Sequence, residues 1–211
     1  YSDENNAFAQ ELIKDSSNLS DAVKLLNMAA SKATSQKNLV LNIEYPNDKT
    51  DRLLDILHHH KFVLTKEGKT YFKDAEIRRY LNGEWLEHHA YAMIRHLGIQ
   101  DIALNLEVES TNVKNELDIA CLHNNQLHII ECKTNNMNKD NRAKANETMY
   151  KLDSLTALGG ITTKGLLLSY QTVDDYSKKR AQDLRIKIVD GTKLKQLDSE
   201  LKNWLFPAPR G

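Results

Sequence analysis

The chain has 211 residues, with 29 Lys and Arg against 29 Asp and Glu, and is therefore formally neutral at pH 7. With 40% hydrophobic and 27% charged residues it reads as an ordinary globular chain of one sizeable domain or two small ones. No long apolar run and no signal-peptide pattern is present, so no membrane partner and a cytoplasmic location are expected, and zero net charge argues against nucleic-acid binding by the whole surface.

Residues 3–35 read as helical. Ala7, Phe8, Leu12 and Ile13 follow helical spacing and Ser16-Ser17-Asn18 breaks the run. A second helix carries Val23, Leu26 and Ala30, with Ser20 and Asp21 as expected caps. Leu39–Ile43 is expected as a short strand closed by Tyr45-Pro46-Asn47, and Asp51–His60 as a helix with Leu53, Leu54 and Leu57 inward. Phe62–Leu64 and Thr70–Phe72, separated by Lys66-Glu67-Gly68-Lys69, predict a hairpin. Helices followed by a small hairpin describe a winged-helix-like module over residues 1–80. Such a module can bind duplex DNA through helix and wing, or simply join domains or dimerise. No dense Lys/Arg helix lies where recognition would occur, which favours the second role. His58-His59-His60 cannot chelate one metal together, because consecutive helical residues point about 100° apart. They suit a helix C-terminus, where His meets the dipole favourably.

From Ile77 the chain passes Gly83 into an amphipathic helix with Trp85, Leu86, Ala90, Met93, Ile94 and Leu97 on one side, ended by Gly98. Residues 101–109 alternate apolar and acidic, as a half-buried strand does. Glu116–Thr134 then predicts a hairpin turning at Asn124-Asn125, two residues that tolerate positive φ. In that register His123 faces Gln126, Leu122 faces Leu127, Ala120 faces Ile129 and Asp118 faces Glu131. Alternation puts Asp118, Glu131 and Lys133 on one face, and Leu117, Ile119, Cys121, Ile130 and Cys132 on the other. The two cysteines share a face without being cross-strand partners, so a reducing compartment and no disulfide are expected.

Two carboxylates directly opposed on largely apolar strands repel each other. A hard divalent cation, Mg²⁺ or Mn²⁺, would offset that repulsion and acidify a water into a hydrolytic nucleophile. Lys133, two residues beyond Glu131, can hold that water or the charge of a reacting phosphate. The plainer reading is an ion cluster in which Lys133 pairs with Glu116 and Glu131.

Beyond a polar loop over 135–140, a helix from Arg142 to Leu158 turns Ala145, Met149, Leu152 and Leu155 inward and stops at Gly159-Gly160. Gly165–Ser169 is an apolar strand. A helix containing Arg180 and Leu184 leads to strand Ile186–Val189, and Lys193–Leu205 closes the chain before a Phe206-Pro-Ala-Pro tail. Residues 176–187 carry five basic groups against one acidic, a local patch able to follow a phosphate backbone or a solvated helix face. From Gly83 the order α-β-β-β-α-β-α-β-α indicates a mixed β-sheet core flanked by helices over residues 81–211.

Asp118, twelve residues, then Glu131-Cys132-Lys133 resembles the D…(D/E)-x-K motif of the restriction-endonuclease-like, PD-(D/E)xK nuclease superfamily. Gly83-Glu84-Trp85-Leu86-Glu87, Asn115-Glu116-Leu117-Asp118, Ile130-Glu131-Cys132-Lys133-Thr134 and Leu158-Gly159-Gly160, in this order, are similar to the CRISPR ancillary nucleases of the Card/Can type. The resemblance covers about residues 60–190 and implies an α/β restriction-endonuclease-like fold and a metal-dependent endonuclease acting on DNA or RNA. It further implies a homodimer and an upstream CARF sensor activated by cyclic tetra-adenylate in antiviral defence, although no CARF-like segment lies within residues 1–80.

By the same resemblance Asp118, Glu131 and the Cys132 carbonyl would ligate Mg²⁺ or Mn²⁺, and Lys133 would orient the attacking water. Glu87, matched through Gly83-x-x-x-Glu87, would complete the metal environment, with Glu84 in reserve; either glutamate also suits a helix first turn. Lys144, Lys151 and Arg180 are expected to contact the nucleic-acid backbone. Two rival functions remain: a DNA-repair, restriction or Holliday-junction type nuclease, and a non-catalytic winged-helix DNA-binding protein.

Overall fold

A computed structural model describes residues 3–110, 113–135, 137 and 142–208. The chain forms two compact units, Tyr1–Leu86 and Glu87–Gly211, against the boundary at 80/81 expected from sequence.

The first unit contains α1 (Asp3–Lys14), α2 (Ser16–Ser35), α3 (Asp48–His59), β1 (Val63–Lys66), β2 (Lys69–Phe72) and α4 (Ala75–Arg79), followed by one wide π-type turn, Tyr80–Glu84. Its core gathers on Phe8, fully buried, whose ring meets Phe62 edge-on at 5.0 Å and Trp85 at 6.2 Å. The break between α1 and α2 is the single residue Asp15, whose carbonyl already accepts from Leu19 at 3.0 Å. Ser20 and Asp21 therefore lie inside α2 and cap nothing, contrary to expectation. The strand expected at Leu39–Ile43 is a single bridge, Val40 to Tyr71, held by the Leu41 N–H on the Thr70 carbonyl and the Phe72 N–H on the Leu39 carbonyl.

α3 begins three residues earlier than expected, at an Asn47 capping box with Thr50. The hairpin loop is shorter than expected: Lys66 pairs with Lys69, and only Glu67 and Gly68, both at positive φ, make the turn. The rings of His59 and His60 touch edge-on at 5.1 Å, while the nitrogens of His58 and His60 go to different partners. His58 Nε2 meets Thr65 Oγ1 at 3.3 Å, while His60 Nε2 meets Glu11 Oε2 at 3.1 Å.

α5 (Trp85–His96) follows a sharp bend at Gly83, whose φ of 132° is open only to glycine. The second unit continues with β3 (Ile102–Ser110), β4 (Val113–His123), β5 (Gln126–Lys133), α6 (Arg142–Leu158), β6 (Lys164–Ser169), α7 (Asp175–Asp183), β7 (Ile186–Val189), a 3-10 turn and α8 (Leu197–Leu205). The sheet runs in sequence order β3-β4-β5-β6-β7, antiparallel through β5 and parallel from β5 to β7. This is the mixed sheet that the element order implied.

Its core on one face joins Ala120, Ile129 and Leu167 to Ala145, Met149, Leu152 and Leu155 of α6 and to Ala181 of α7. On the other face Trp204 of α8 meets His128 of β5 edge-on at 4.9 Å. β3 is an edge strand, and its side chains from Ile102 to Glu109 are exposed or half-exposed, more than the half-burial read from their alternation. The polar loop expected over 135–140 lies largely outside the described residues.

Candidate active site

The β4–β5 hairpin turns where the sequence placed it. Asn124 and Asn125 stand at φ 48° and 60°, the two left-handed positions of a type I′ turn. His123 pairs with Gln126, Leu122 with Leu127, Ala120 with Ile129 and Ile119 with Ile130. Regular pairing stops there, one step before Asp118 and Glu131. On the opposite side Asn105 of β3 adopts φ 52° where it would pair with Asp118, and the β3–β4 register skips this position. Leu117 consequently joins the cluster of Ala120 and Ile129 instead of sharing a face with Ile119. The chain is irregular at the acid, as functional sites often are.

That irregularity frees the Asp118 side chain to turn back on β5, where Oδ2 accepts the Cys132 backbone N–H at 2.7 Å. Glu131 is 2% exposed. Lys133 reaches back over both acids: its Nζ lies 2.7 Å from Glu131 Oε1, 3.6 Å from Asp118 Oδ2 and 3.0 Å from the Cys132 carbonyl oxygen. A second ammonium arrives from α6. Lys151 Nζ lies 3.2 Å and 3.4 Å from the two oxygens of Glu131 and also donates to the Glu116 carbonyl at 3.4 Å. Two carboxylates are thus matched by two ammonium groups in a mostly buried setting.

Burial is the largest influence on Asp118 and raises its carboxyl above the ordinary range; the Glu131 charge pushes the same way, while Lys133 and the Cys132 N–H pull against them. Burial opposes the charge on Lys133, but Asp118 and Glu131 together prevail and hold its ammonium above the usual lysine range. Both thiols stay protonated: burial lifts Cys121 to about 12, and burial, then Asp118 and Glu87, lift Cys132 well above its ordinary value. Cys132 therefore offers its carbonyl and not a thiolate. Both cysteines are free, as expected.

The residues present fit a hard cation. Asp118 Oδ2, Glu131 Oε1 and the Cys132 carbonyl oxygen all converge on one positive centre, the Lys133 Nζ, and all three are the oxygen donors that Mg²⁺ and Mn²⁺ prefer. Among the described residues no three His, Cys, Asp or Glu side chains assemble into a metal-holding group. Glu87 begins α5 half-buried, within electrostatic reach of the Cys132 thiol. Glu84 lies in the first unit, 2.8 Å from Arg79. Lys133 pairs with Asp118 and Glu131, while it is Lys151 that touches Glu116, through the main chain.

Of the three residues expected on nucleic acid, Lys151 enters the acid cluster and Lys144 is exposed on α6. Arg180 lies over the Tyr150 ring at 4.9 Å and donates to the Tyr176 hydroxyl at 3.4 Å, and Arg142 lies over Tyr176 at 5.3 Å. This partly exposed row of alternating guanidinium and phenol groups was not read from the sequence. Its signal was the four-residue helical spacing of Tyr176 and Arg180 and the eight-residue spacing of Arg142 and Tyr150.

The family described as Card1-like, endonuclease domain, matches residues 74–208. Among solved structures, protein VC1899 from Vibrio cholerae is similar at 27% identity and a TM-score of 0.86 over 97% of this chain. Can2 from Sulfobacillus thermosulfidooxidans, in complex with cyclic tetra-adenylate, is similar at 28% identity and a TM-score of 0.80, also over 97% of this chain. The chain spans 57% of the length of each. No curated protein matches.

Proposed function

The chain belongs to the Card1-like endonuclease domain family, and from that premise we propose that it hydrolyses phosphodiester bonds of DNA or RNA with Mg²⁺ or Mn²⁺, as the effector part of a CRISPR-associated antiviral nuclease. The observation that carries the reading is the convergence of Asp118 Oδ2, Glu131 Oε1 and the Cys132 carbonyl on one cationic centre.

These three oxygens would hold the cation, which when bound supplies Lewis acidity to a water and to the scissile phosphate. Asp118 keeps its bond from the Cys132 N–H, which fixes its Oδ2 beside the strand. The Lys133 ammonium donates to the attacking water or to the phosphate oxygens, stabilising charge that develops as the bond to the leaving oxygen breaks. Arg180, Arg142 and Lys144 attract the backbone of the strand being cut. Glu87 tunes the far side of β5 and, in this reading, acts on the site through water.

A restriction-endonuclease-like core of this kind works as a homodimer here, and cyclic tetra-adenylate acts on it through a sensor segment outside residues 1–211. The Can2 complex supports that partnership by similarity.

A second reading has an observation of its own: two carboxylates balanced by two lysines make a neutral cluster that needs no metal. One experiment separates them. Labelled single-stranded RNA, single-stranded DNA and supercoiled plasmid are incubated with Mn²⁺, Mg²⁺ or EDTA and wild type, Asp118→Asn or Glu131→Gln. Metal-dependent cutting that falls at least about 100-fold in both variants is expected. Calorimetric titration that finds no Mn²⁺ site lost on Glu131→Gln would leave only the structural ion cluster.

A further inference from the structure

Lys151 has a place in the site that its position on a helix surface does not suggest. Its ammonium spans both oxygens of the nearly inaccessible Glu131, and its positive charge is also felt by Asp118. Lys133 contacts both acids from the strand itself, so Lys151 is the second of two tethered cations on a pair of carboxylates. The pair is neutralised before any free cation arrives. A divalent cation entering among the same oxygens brings two further positive charges into a mostly buried cluster, and like charges there repel strongly. The cation would take the place of the Lys133 Nζ, which shifts to the water or phosphate it serves, and Lys151 is then the ammonium still competing for Glu131.

Lys133 is 25% exposed and stays on the strand that carries the donors, its Nζ also on the Cys132 carbonyl. Lys151 is 39% exposed, is held by longer bonds of 3.2–3.4 Å, and sits beside Tyr150, whose ring carries Arg180. Lys151 is the group able to leave. Released from Glu131, its ammonium would face solvent on α6, next in the chain to the tyrosine whose ring carries Arg180.

We propose that Lys151 is an exchangeable internal counterion: it competes with the divalent cation for Glu131, and on being displaced it becomes a ligand of the nucleic-acid phosphate beside the cut. Cation and nucleic acid are thereby coupled. Without the cation Lys151 is held on Glu131; with it, one more phosphate contact is available. Lys151 is in this sense a positioning residue that links the two ligands, and the inference rests on the cation-dependent reading above.

The test uses Mn²⁺ alone and a labelled oligonucleotide alone, with the full 211-residue chain. Calorimetric titration of Mn²⁺ into Lys151→Met, which keeps the aliphatic stem, is expected to show affinity about 5- to 10-fold tighter than wild type. Lys151→Arg, which keeps the charge, is expected to stay near wild type. Oligonucleotide binding by Lys151→Met is expected to match wild type in EDTA and to be several-fold weaker in Ca²⁺. Thermal melts confirm that each variant is folded. Unchanged or weaker Mn²⁺ affinity in Lys151→Met overturns the proposal, as does an equal loss of oligonucleotide binding in EDTA and Ca²⁺. Absence of any Mn²⁺ site in the wild type is a different result: it removes the cation-dependent reading itself.

Discussion

Glu131 shows how a buried charge sets the behaviour of its neighbours. At 2% exposure a lone carboxylate would be costly, and the chain answers with one lysine two residues away and another twenty residues away. Replacement by Gln is the informative change, since it keeps shape and hydrogen bonding while removing the charge that gathers the lysines. The same strand holds a residue with an opposite charge problem. His128 is 1% exposed and burial holds its pKa down to about 4 from 6.5; His89 is held at about 4 for the same reason. Both are neutral when folded and take up protons more readily when unfolded. Their contribution is therefore complete above pH 6.5 and lost as pH falls from 6.5 towards 4, by up to about 3 kcal/mol for each. Melting temperature measured across pH 7 to 4.5 should fall in the wild type and fall less in His128→Gln, whose amide does not titrate. Parallel profiles would show that His128 is not responsible.

At the scale of elements, the β4–β5 hairpin carries the site, and its turn controls the register that brings the Asp118 side chain to Cys132. Asn125 at φ 60° occupies a conformation that costs an alanine about 1–2 kcal/mol and a glycine almost nothing. Urea denaturation should find Asn125→Ala destabilised by about 1 kcal/mol and Asn125→Gly equal to or more stable than wild type. A stable Asn125→Ala would mean that the strands, and not the turn, hold the register. The neighbouring strand contributes through a defect: Asn105 turns left-handed opposite Asp118, and regular pairing of Asp118 is lost on both sides. The acid is thus held by its own side-chain bond to the Cys132 N–H.

For the molecule as a whole, the family match over residues 74–208 takes in the sheet unit, the bend at Gly83 and α4. The described part of the first unit is helical with a two-stranded hairpin. The solved relatives are longer, and this chain spans 57% of each. If the sensor for cyclic tetra-adenylate lies in the remainder, cleavage by residues 1–211 should be the same with and without that nucleotide, and calorimetry should detect no binding. Stimulation of this chain by the nucleotide would place the sensor inside it. No helix among the described residues is long and apolar enough to cross a membrane.

Sequence by itself determined the parts governed by local rules. The Asn-Asn turn, the period-2 strands, the register from His123 to Ile119 and the mixed order of strands and helices follow from φ preference, alternation and chain connectivity. The inward positions Ala145, Met149, Leu152 and Leu155 follow from helical periodicity. Local pattern was less reliable where neighbours decide: Leu39–Ile43 had strand composition but paired at one residue, and β3 alternated but lay at an edge. Only the tertiary structure decided that Lys151 meets Glu131, because that contact depends on how α6 docks on β5. Only it showed the left-handed Asn105 beside Asp118, and Lys133 folded back over three oxygens instead of pairing with Glu116. Secondary structure is written in short-range sterics and hydrophobic spacing, whereas the charge balance of a buried site is set by groups that packing brings together from distant positions in the chain.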